Sequence, residues 1–385
     1  QVSLLPFIWN VAPIIWATDQ AFEIDVLDPR VAAALEAVRQ ELREMYPSLR
    51  WRGELAARHL RLAPDPPPSA LEAASLYSGG VDSTWTALNH AGRKLLLVSV
   101  WGADVRLSDA YTWRIIATRN ARFAERYAGA FSVVTSTFKS INYPWLATLT
   151  PEIPHWWSHI QMTMGTVALA APLLYRHGIG VIRVPATVSD DYRPNYASLP
   201  RLDEKISLAT ACVEHDGFAT TRQQKVQWLV DWQREHPDAP LNLRVCITWV
   251  TRDGGNCGRC EKCVRTIVAL LIAGADPTTM GFPDYQPQLL ESIPRFFPSR
   301  RFRFLEEEVY MWRDLQAHAR RRPDLEGAFW SWLRTFDFEA YRLRQPVGFL
   351  SWARFNRVVA RMPRVVAVAR GARRLVRRVS ARVSS

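Results

Sequence analysis

The chain has 385 residues, 48% of them hydrophobic and 22% charged, enough to bury a full core as one main domain with additions. Its net charge of +12 lies wholly in the tail: from Ser299 onward there are 20 arginines, no lysine and 8 acids, against 29 basic and 29 acidic residues before it. The apolar-leaning run Val2 to Thr18 is too short to span a bilayer and has no basic residues ahead of it, so a signal peptide and a membrane span are not expected and a cytoplasmic location is.

In chain order, residues 1–28 alternate enough to predict one or two strands, Val2 to Asn10 and Ala21 to Val26. Pro29 to Met45 predicts a helix, with proline in its first turn and Val31, Leu35, Val38 and Leu42 on one face. The run Pro64-Asp65-Pro66-Pro67-Pro68-Ser69 continues neither regular structure and closes an amino-terminal annex, residues 1–70.

Strands and helices then alternate: strands at Ala74 to Tyr77, Lys94 to Val100, Phe131 to Thr135 and Val181 to Pro185, helices at Ser83 to His90, Asp109 to Tyr127 and about His159 to Arg176. Such alternation predicts an α/β fold with a doubly wound, mostly parallel sheet that binds ligands at the carboxyl ends of its strands. The first strand runs into Ser78-Gly79-Gly80-Val81-Asp82-Ser83-Thr84. Two glycines allow positive φ and a close approach of backbone N–H groups to an anion, and Ser78, Ser83 and Thr84 add hydroxyl donors at the positive end of the next helix. No lysine lies between Leu76 and Lys94, which disfavours a Walker-type loop and ordinary kinase or GTPase chemistry.

Residues 140–160 gather Tyr143, Trp145, His155, Trp156, Trp157 and His159. They read either as a pocket lid or as a packing patch in a chain with 16 tryptophans. His155 and His159 have a metal-like spacing but no third ligand in view. Thr221 to Gln224 forms a capping box that opens a helix carrying Arg222 and Lys225, either solvated residues or cations poised above the strand ends.

Four of the five cysteines cluster after a predicted strand at Leu241 to Val245: Cys246, then Cys257, Cys260 and Cys263 just ahead of a helix predicted at Val264 to Ala273. Four thiolates with glycine turns between them can close a tetrahedral site, and the compact spacing favours structural zinc over an iron-sulfur cluster, a redox dithiol or unrelated buried thiols. Beyond residue 298, helices are predicted at Phe302 to Ala319 and Leu325 to Phe336, in an arginine-rich helical extension, residues 299–385. The last part mixes valines with eight arginines between Arg361 and Arg382. It reads first as a solvated end, with nucleic acid or an anionic membrane surface as the other candidates.

The hexapeptide Ser78-Gly79-Gly80-Val81-Asp82-Ser83 resembles the SGGxDS signature of the PP-loop ATP pyrophosphatases. Cys-x10-Cys-Gly-x-Cys-x-x-Cys resembles the zinc module of the 7-cyano-7-deazaguanine synthases within that family. The resemblance covers roughly Leu71 to Asp276, inside a main domain at 71–298, and implies an adenine nucleotide alpha hydrolase-like fold. It implies ATP with Mg2+, cradled by Ser78, Gly79, Gly80, Ser83 and Thr84, with Asp82, Ser83 and Lys225 catalytic. Arg222 corresponds to a cation of the family, and Trp101, with Val100 and Gly102, to the end of the strand that helps hold adenine; core packing is the equal alternative for Trp101.

Departures at 143–160 and 186–201 point to a changed substrate. Implied is adenylation of a small carboxylate or amide followed by nitrogen transfer, making a carbon-nitrogen ligase. A nucleic-acid-modifying sulfurtransferase using Cys212, and an ATP-binding scaffold without catalysis, are the alternatives. Oligomeric state is not readable from the sequence.

Overall fold

The computed structural model describes residues 1–92, 94–141, 143–246, 254–296 and 304–344. A short 3-10 turn at Val2–Leu4 leads into helix α1 (Leu5–Ala17). The strand expected from Val2 to Asn10 is therefore helical. Leu5, Ile8, Trp9, Ala12, Ile15 and Trp16 are buried at helical spacing, a period hidden by apolar residues on the remaining face as well.

Strand β1 (Ala21–Leu27), helix α2 (Pro29–Met45) and strand β2 (Glu54–Leu60) follow, and the two strands pair in parallel, with Ala21 opposite Glu54 and Leu27 opposite Leu60. Helix α2 matches its expected bounds: Asp28 caps it by accepting from the Arg30 N–H, and Pro29 occupies the first turn, where a missing donor costs nothing. Strand β2 was not foreseen, because Glu54, Arg58, His59 and two alanines leave only Leu55 and Leu60 as strongly apolar residues.

The main sheet is built from β3 (Ala73–Leu76), β4 (Leu95–Trp101), β5 (Ala130–Thr135), β6 (Val181–Pro185) and β7 (Cys212–Asp216), all parallel, in the order β5-β4-β3-β6-β7. Helices α3 (Val81–Asn89) and α4 (Ala110–Tyr127) cross between the first three strands. The four-residue α5 (Tyr143–Leu146), a π-helical turn (Trp157–Gln161) and α6 (Met162–Arg176) connect β5 to β6, and the short α7 (Pro200–Asp203) lies before β7. After β7 the chain continues through α8 (Arg222–Glu235), α9 (Glu261–Ile272), α10 (Gln288–Phe296), α11 (Glu306–Arg320), α12 (Ala328–Thr335) and α13 (Phe338–Arg344).

The strand order reverses direction at β3. From it the chain builds outward through β4 and β5, then returns to β6 on the other side, so the loops after β3 and β6 diverge and leave a crevice at their carboxyl ends. The central strands β3 and β4 are buried on both faces, as a parallel sheet covered on both sides requires. Leu96 and Val98 of β4 point into one core with α1, α2 and α6, while Leu95 and Leu97 point into a second core with α8, α9, α11 and α12. The stretch at 1–70 and the described part of the extension thus each cover one face of the same sheet.

Residues 241–246 do not form the expected strand. Their backbone groups bond to a loop and to side chains instead: Arg244 N–H to the Gly79 carbonyl at 2.8 Å, Val245 and Cys246 N–H to Asn256 Oδ1 at 2.8 and 3.1 Å. The two helices expected in the extension are present, shortened to 306–320 and 328–335. The amphipathic basic stretch beyond 345 lies outside the described residues. Among those residues no helix is long and apolar enough to cross a membrane.

Trp9 of α1 is fully buried and its Nε1 donates to the Ser207 carbonyl at 3.1 Å, beside β7. Trp9→Ala should therefore lower unfolding stability by about 3–5 kcal/mol, read as a fall in the urea midpoint with the slope unchanged. A surface-like change of a few tenths would show that α1 is not part of the sheet's core.

Candidate functional site

The crevice is organised by the loop from Tyr77 to Asp82. The Tyr77 N–H donates to the Val98 carbonyl and its carbonyl accepts from Ser99 Oγ at 2.6 Å, while Asn120 Nδ2 of α4 donates to Ser99 Oγ at 3.1 Å. This chain of buried polar groups ties the end of β3 to β4 and α4. Gly79 then turns the backbone at φ +79, where a side chain is strained, and an added Cβ would also lie 3.2 Å from Asn120 Oδ1. Gly80 caps α3 in an extended conformation, and the Ser83 hydroxyl lies within 3.3 Å of the Ser78 N–H and 3.2 Å of Ser78 Oγ. Ser78, Gly79, Gly80 and Ser83 are thus together at the amino end of α3, whose first N–H groups have no partner inside the helix. Thr84 sits in the first turn with its hydroxyl oxygen buried.

Asp82 points across to α8, where its Oδ2 accepts from Arg222 in an ion pair of 2.5 Å. Its Oδ1 is buried and meets no donor among the described residues. Burial pulls the Arg222 guanidinium below its usual pKa, with the Asp82 charge opposing. Helix α8 opens with the expected capping box, Thr221 with Gln224, and one turn on it carries Lys225.

Lys225 is 1% exposed; its Nζ donates to the Ala186 carbonyl at 2.6 Å, just past β6, and stands 5.4 Å from the Trp85 ring centroid. Burial pushes its pKa down, while the Asp82 charge pulls the other way. Space for this ammonium exists because residue 217 is glycine at φ +79; a Cβ there would lie 2.6 Å from the Trp85 ring and 3.2 Å from Nζ. Arg222 and Lys225 are therefore brought to the loop across more than a hundred residues of sequence.

Two site groups escaped the sequence reading. Arg244 runs beside Gly79, its Nε donates to the Gly254 carbonyl at 3.2 Å, and burial lowers its pKa. Its signal was its place in a segment read as a strand. Asp216 ends β7, pairs with His90 Nε2 at 3.0 Å, and keeps a buried Oδ2 without a donor among the described residues.

Trp101 ends β4 on the same edge of the sheet. Its ring stacks on Trp113 with centroids 5.7 Å apart, and its Nε1 donates to the Arg106 carbonyl. At the end of β5, Lys139 donates to the Ala103 carbonyl at 2.8 Å and lies 4.1 Å from the Trp157 ring, holding the aromatic stretch against the end of β4. Trp156 is fully buried core. His155 and His159 share hydrogen bonds with Ser158, and burial keeps both pKas low.

On the other side, the segment after β6 is covered by the extension. Tyr192 stacks on Tyr310 of α11 at 4.4 Å, and the Tyr310 hydroxyl donates to Asp191 at 2.8 Å. Cys212 is exposed at the amino end of β7, the end of the sheet opposite the loop.

The four other cysteines converge. Their sulfurs all lie within 4.8 Å of one another, with Cys246 to Cys260 at 4.0 Å and Cys257 to Cys263 at 3.8 Å. Thiolates at about 2.3 Å from a tetrahedral zinc are about 3.8 Å apart, whereas a disulfide would need about 2.05 Å. The donor set and its spacing fit a zinc ion. Cys260 caps α9, and the hydrogen bond with Cys260 together with burial pushes the Cys263 thiol up in pKa. Asn256, which holds the Val245 and Cys246 backbone, also donates to the Leu243 and Gly281 carbonyls, locking the approach to the first ligand.

No protein-family model matches the chain, and no curated protein or solved structure matches it. Site geometry and sequence motif thus carry the functional reading between them.

Protein purified without added metal should contain about one zinc per chain by elemental analysis. Cys263→Ser should lose that zinc and expose 254–272 to hydrogen exchange ahead of the main sheet. A chain free of zinc, or one with visible iron-sulfur absorbance, is the contrary result.

Proposed function

We propose that the protein is an ATP pyrophosphatase-type ligase: it activates a small carboxylate or amide by adenylation and then transfers nitrogen to the activated carbon, as the 7-cyano-7-deazaguanine synthases do. The observation that carries this reading is the SGGxDS loop seated at the carboxyl end of β3, where the strand order reverses, with Asp82 ion-paired to Arg222. The parallel sheet, with the loop at the carboxyl end of β3, supports reading the fold as adenine nucleotide alpha hydrolase-like.

In the proposed reaction a substrate oxygen attacks the α-phosphorus of ATP, the bond from that phosphorus to the β-phosphate oxygen breaks, and pyrophosphate leaves. Ammonia or another nitrogen nucleophile then attacks the activated carbon, and AMP leaves with the substrate oxygen. Ser78, Gly79, Gly80, Ser83 and Thr84 form the anion cradle, with Arg222 and Arg244 at hand to neutralise charge on the departing phosphates. The donor-free Asp82 Oδ1 fits a Mg2+ ion, which supplies charge neutralisation to the phosphates when bound. Lys225, buried beside Trp85, holds the backbone after β6 through the Ala186 carbonyl, and we assign it a part in the chemistry on the strength of the resemblance. Trp101 is the candidate neighbour of the adenine.

Nitrogen is preferred to sulfur on geometry. A sulfurtransferase needs a cysteine in reach of the activated carbon, yet Cys212 lies at the far end of β7 and the other four thiols are gathered in the metal site.

Incubation with ATP, Mg2+ and a metabolite extract should yield AMP and pyrophosphate, and mass spectrometry should show an acid converted to its amide. ADP and phosphate as products would defeat the reading. Ser83→Ala and Asp82→Asn should each lower turnover by about 10²-fold while far-UV circular dichroism stays unchanged.

A further inference from the structure

Helix α8 carries both Arg222 and Lys225, and its amino end is held by more than its own capping box. Asp314 of α11 reaches across from the extension: Thr221 Oγ1 donates to its Oδ1 at 3.3 Å and the Gln223 N–H donates to its Oδ2 at 3.1 Å. These two partners flank Arg222. The first N–H groups of a helix lack acceptors within it, and the helix dipole favours a carboxylate there.

The Asp314 side chain is 12% exposed, and His318 one turn on places Nδ1 3.2 Å from Oδ1, steadying its orientation. Arg222, Arg265, Met311 and Asp314 line one small cavity between α8, α9 and α11. Trp312, next to Met311, donates to Glu261 of α9 at 3.0 Å, so α11 is itself braced on the cysteine module.

We propose that Asp314 is a positioning residue for the nucleotide step: by fixing the amino end of α8 it sets Arg222 against Asp82 and thereby sets the phosphate loop. The inference rests on the nucleotide reading given above, and it assigns the extension a part in that step.

Two measurements test it on the full-length chain. Pyrophosphate release is followed in Asp314→Ala, Asp314→Asn, Arg222→Ala and the Asp314→Ala/Arg222→Ala double variant, with thermal unfolding of each as the control for folding. Asp314→Ala should raise KM for ATP on the order of tenfold, Asp314→Asn should restore part of it, and alanine at 314 should add nothing once Arg222 is gone. Additive effects in the double variant, or an unchanged KM, overturn the proposal.

Hydrogen exchange without ATP reads the positioning by itself. Asp314→Ala should speed exchange at both 219–226 and 77–84, leaving 328–335 as in the parent; faster exchange at 219–226 with 77–84 unmoved overturns it. If the parent chain releases no pyrophosphate while exchange behaves as expected, the nucleotide reading falls and the coupling of Asp314 to the loop stands.

Discussion

The ion pair between Asp82 and Arg222 is the constraint on which the rest of the site depends. Each side chain is mostly withdrawn from water, and neither charge is tolerable there alone; losing one partner of such a buried pair typically costs about 3–5 kcal/mol. The pair can form only if α3 begins where it does, at the glycine turn after β3, and if α8 crosses above it. The Ser99–Tyr77 and Asn120–Ser99 bonds fix the first condition. The capping of α8 and the seating of Lys225 on the Ala186 carbonyl fix the second.

Both faces of the sheet serve this arrangement. The apolar alternation along β4 sends Leu96 and Val98 one way and Leu95 and Leu97 the other, so the sheet needs a cover on each side. On one side α1 and α2 supply it beside α6. On the other, α11 and α12 pack over α8 and α9, and in doing so bring polar side chains of the extension to the back of the crevice. The four-cysteine cluster belongs to this second layer: Cys246 lies two residues past Arg244, whose N–H bonds the Gly79 carbonyl, so whatever holds the four sulfurs also holds Arg244 in place.

The main sheet's first strands, their helices, the glycine turn, the capping box and the cysteine cluster were legible because each has a local cause: a period, a turn residue, a cap or a ligand spacing. What was not legible depends on partners far along the chain. Helix α1 passed for a strand because continuous apolarity obscures its period. Residues 241–245 have a strand's composition, but Asn242 turns the backbone at φ +49 and the segment's partners are the Gly79 carbonyl and the Asn256 side chain, which no window of sequence reveals. Strand β2 carries Glu54, Arg58 and His59 among its seven residues and, among the described residues, pairs only with β1. Asp314 looks like an ordinary surface acid on an amphipathic helix until α8 is seen to end against it.

That dependence on distant partners has a consequence in time. Asp82 and Asp314 are separated by 232 residues. At about 5–20 residues per second, a ribosome takes roughly ten to fifty seconds to travel from one to the other. During that interval the nascent chain can make its glycine turn and close β3 against β4, yet the helix bearing the two cations has only its own capping box and lacks the Asp314 carboxylate at its amino end. The crevice is therefore finished late, long after the glycine loop has been synthesised, because Asp314 of the extension is among the last of its partners to be made.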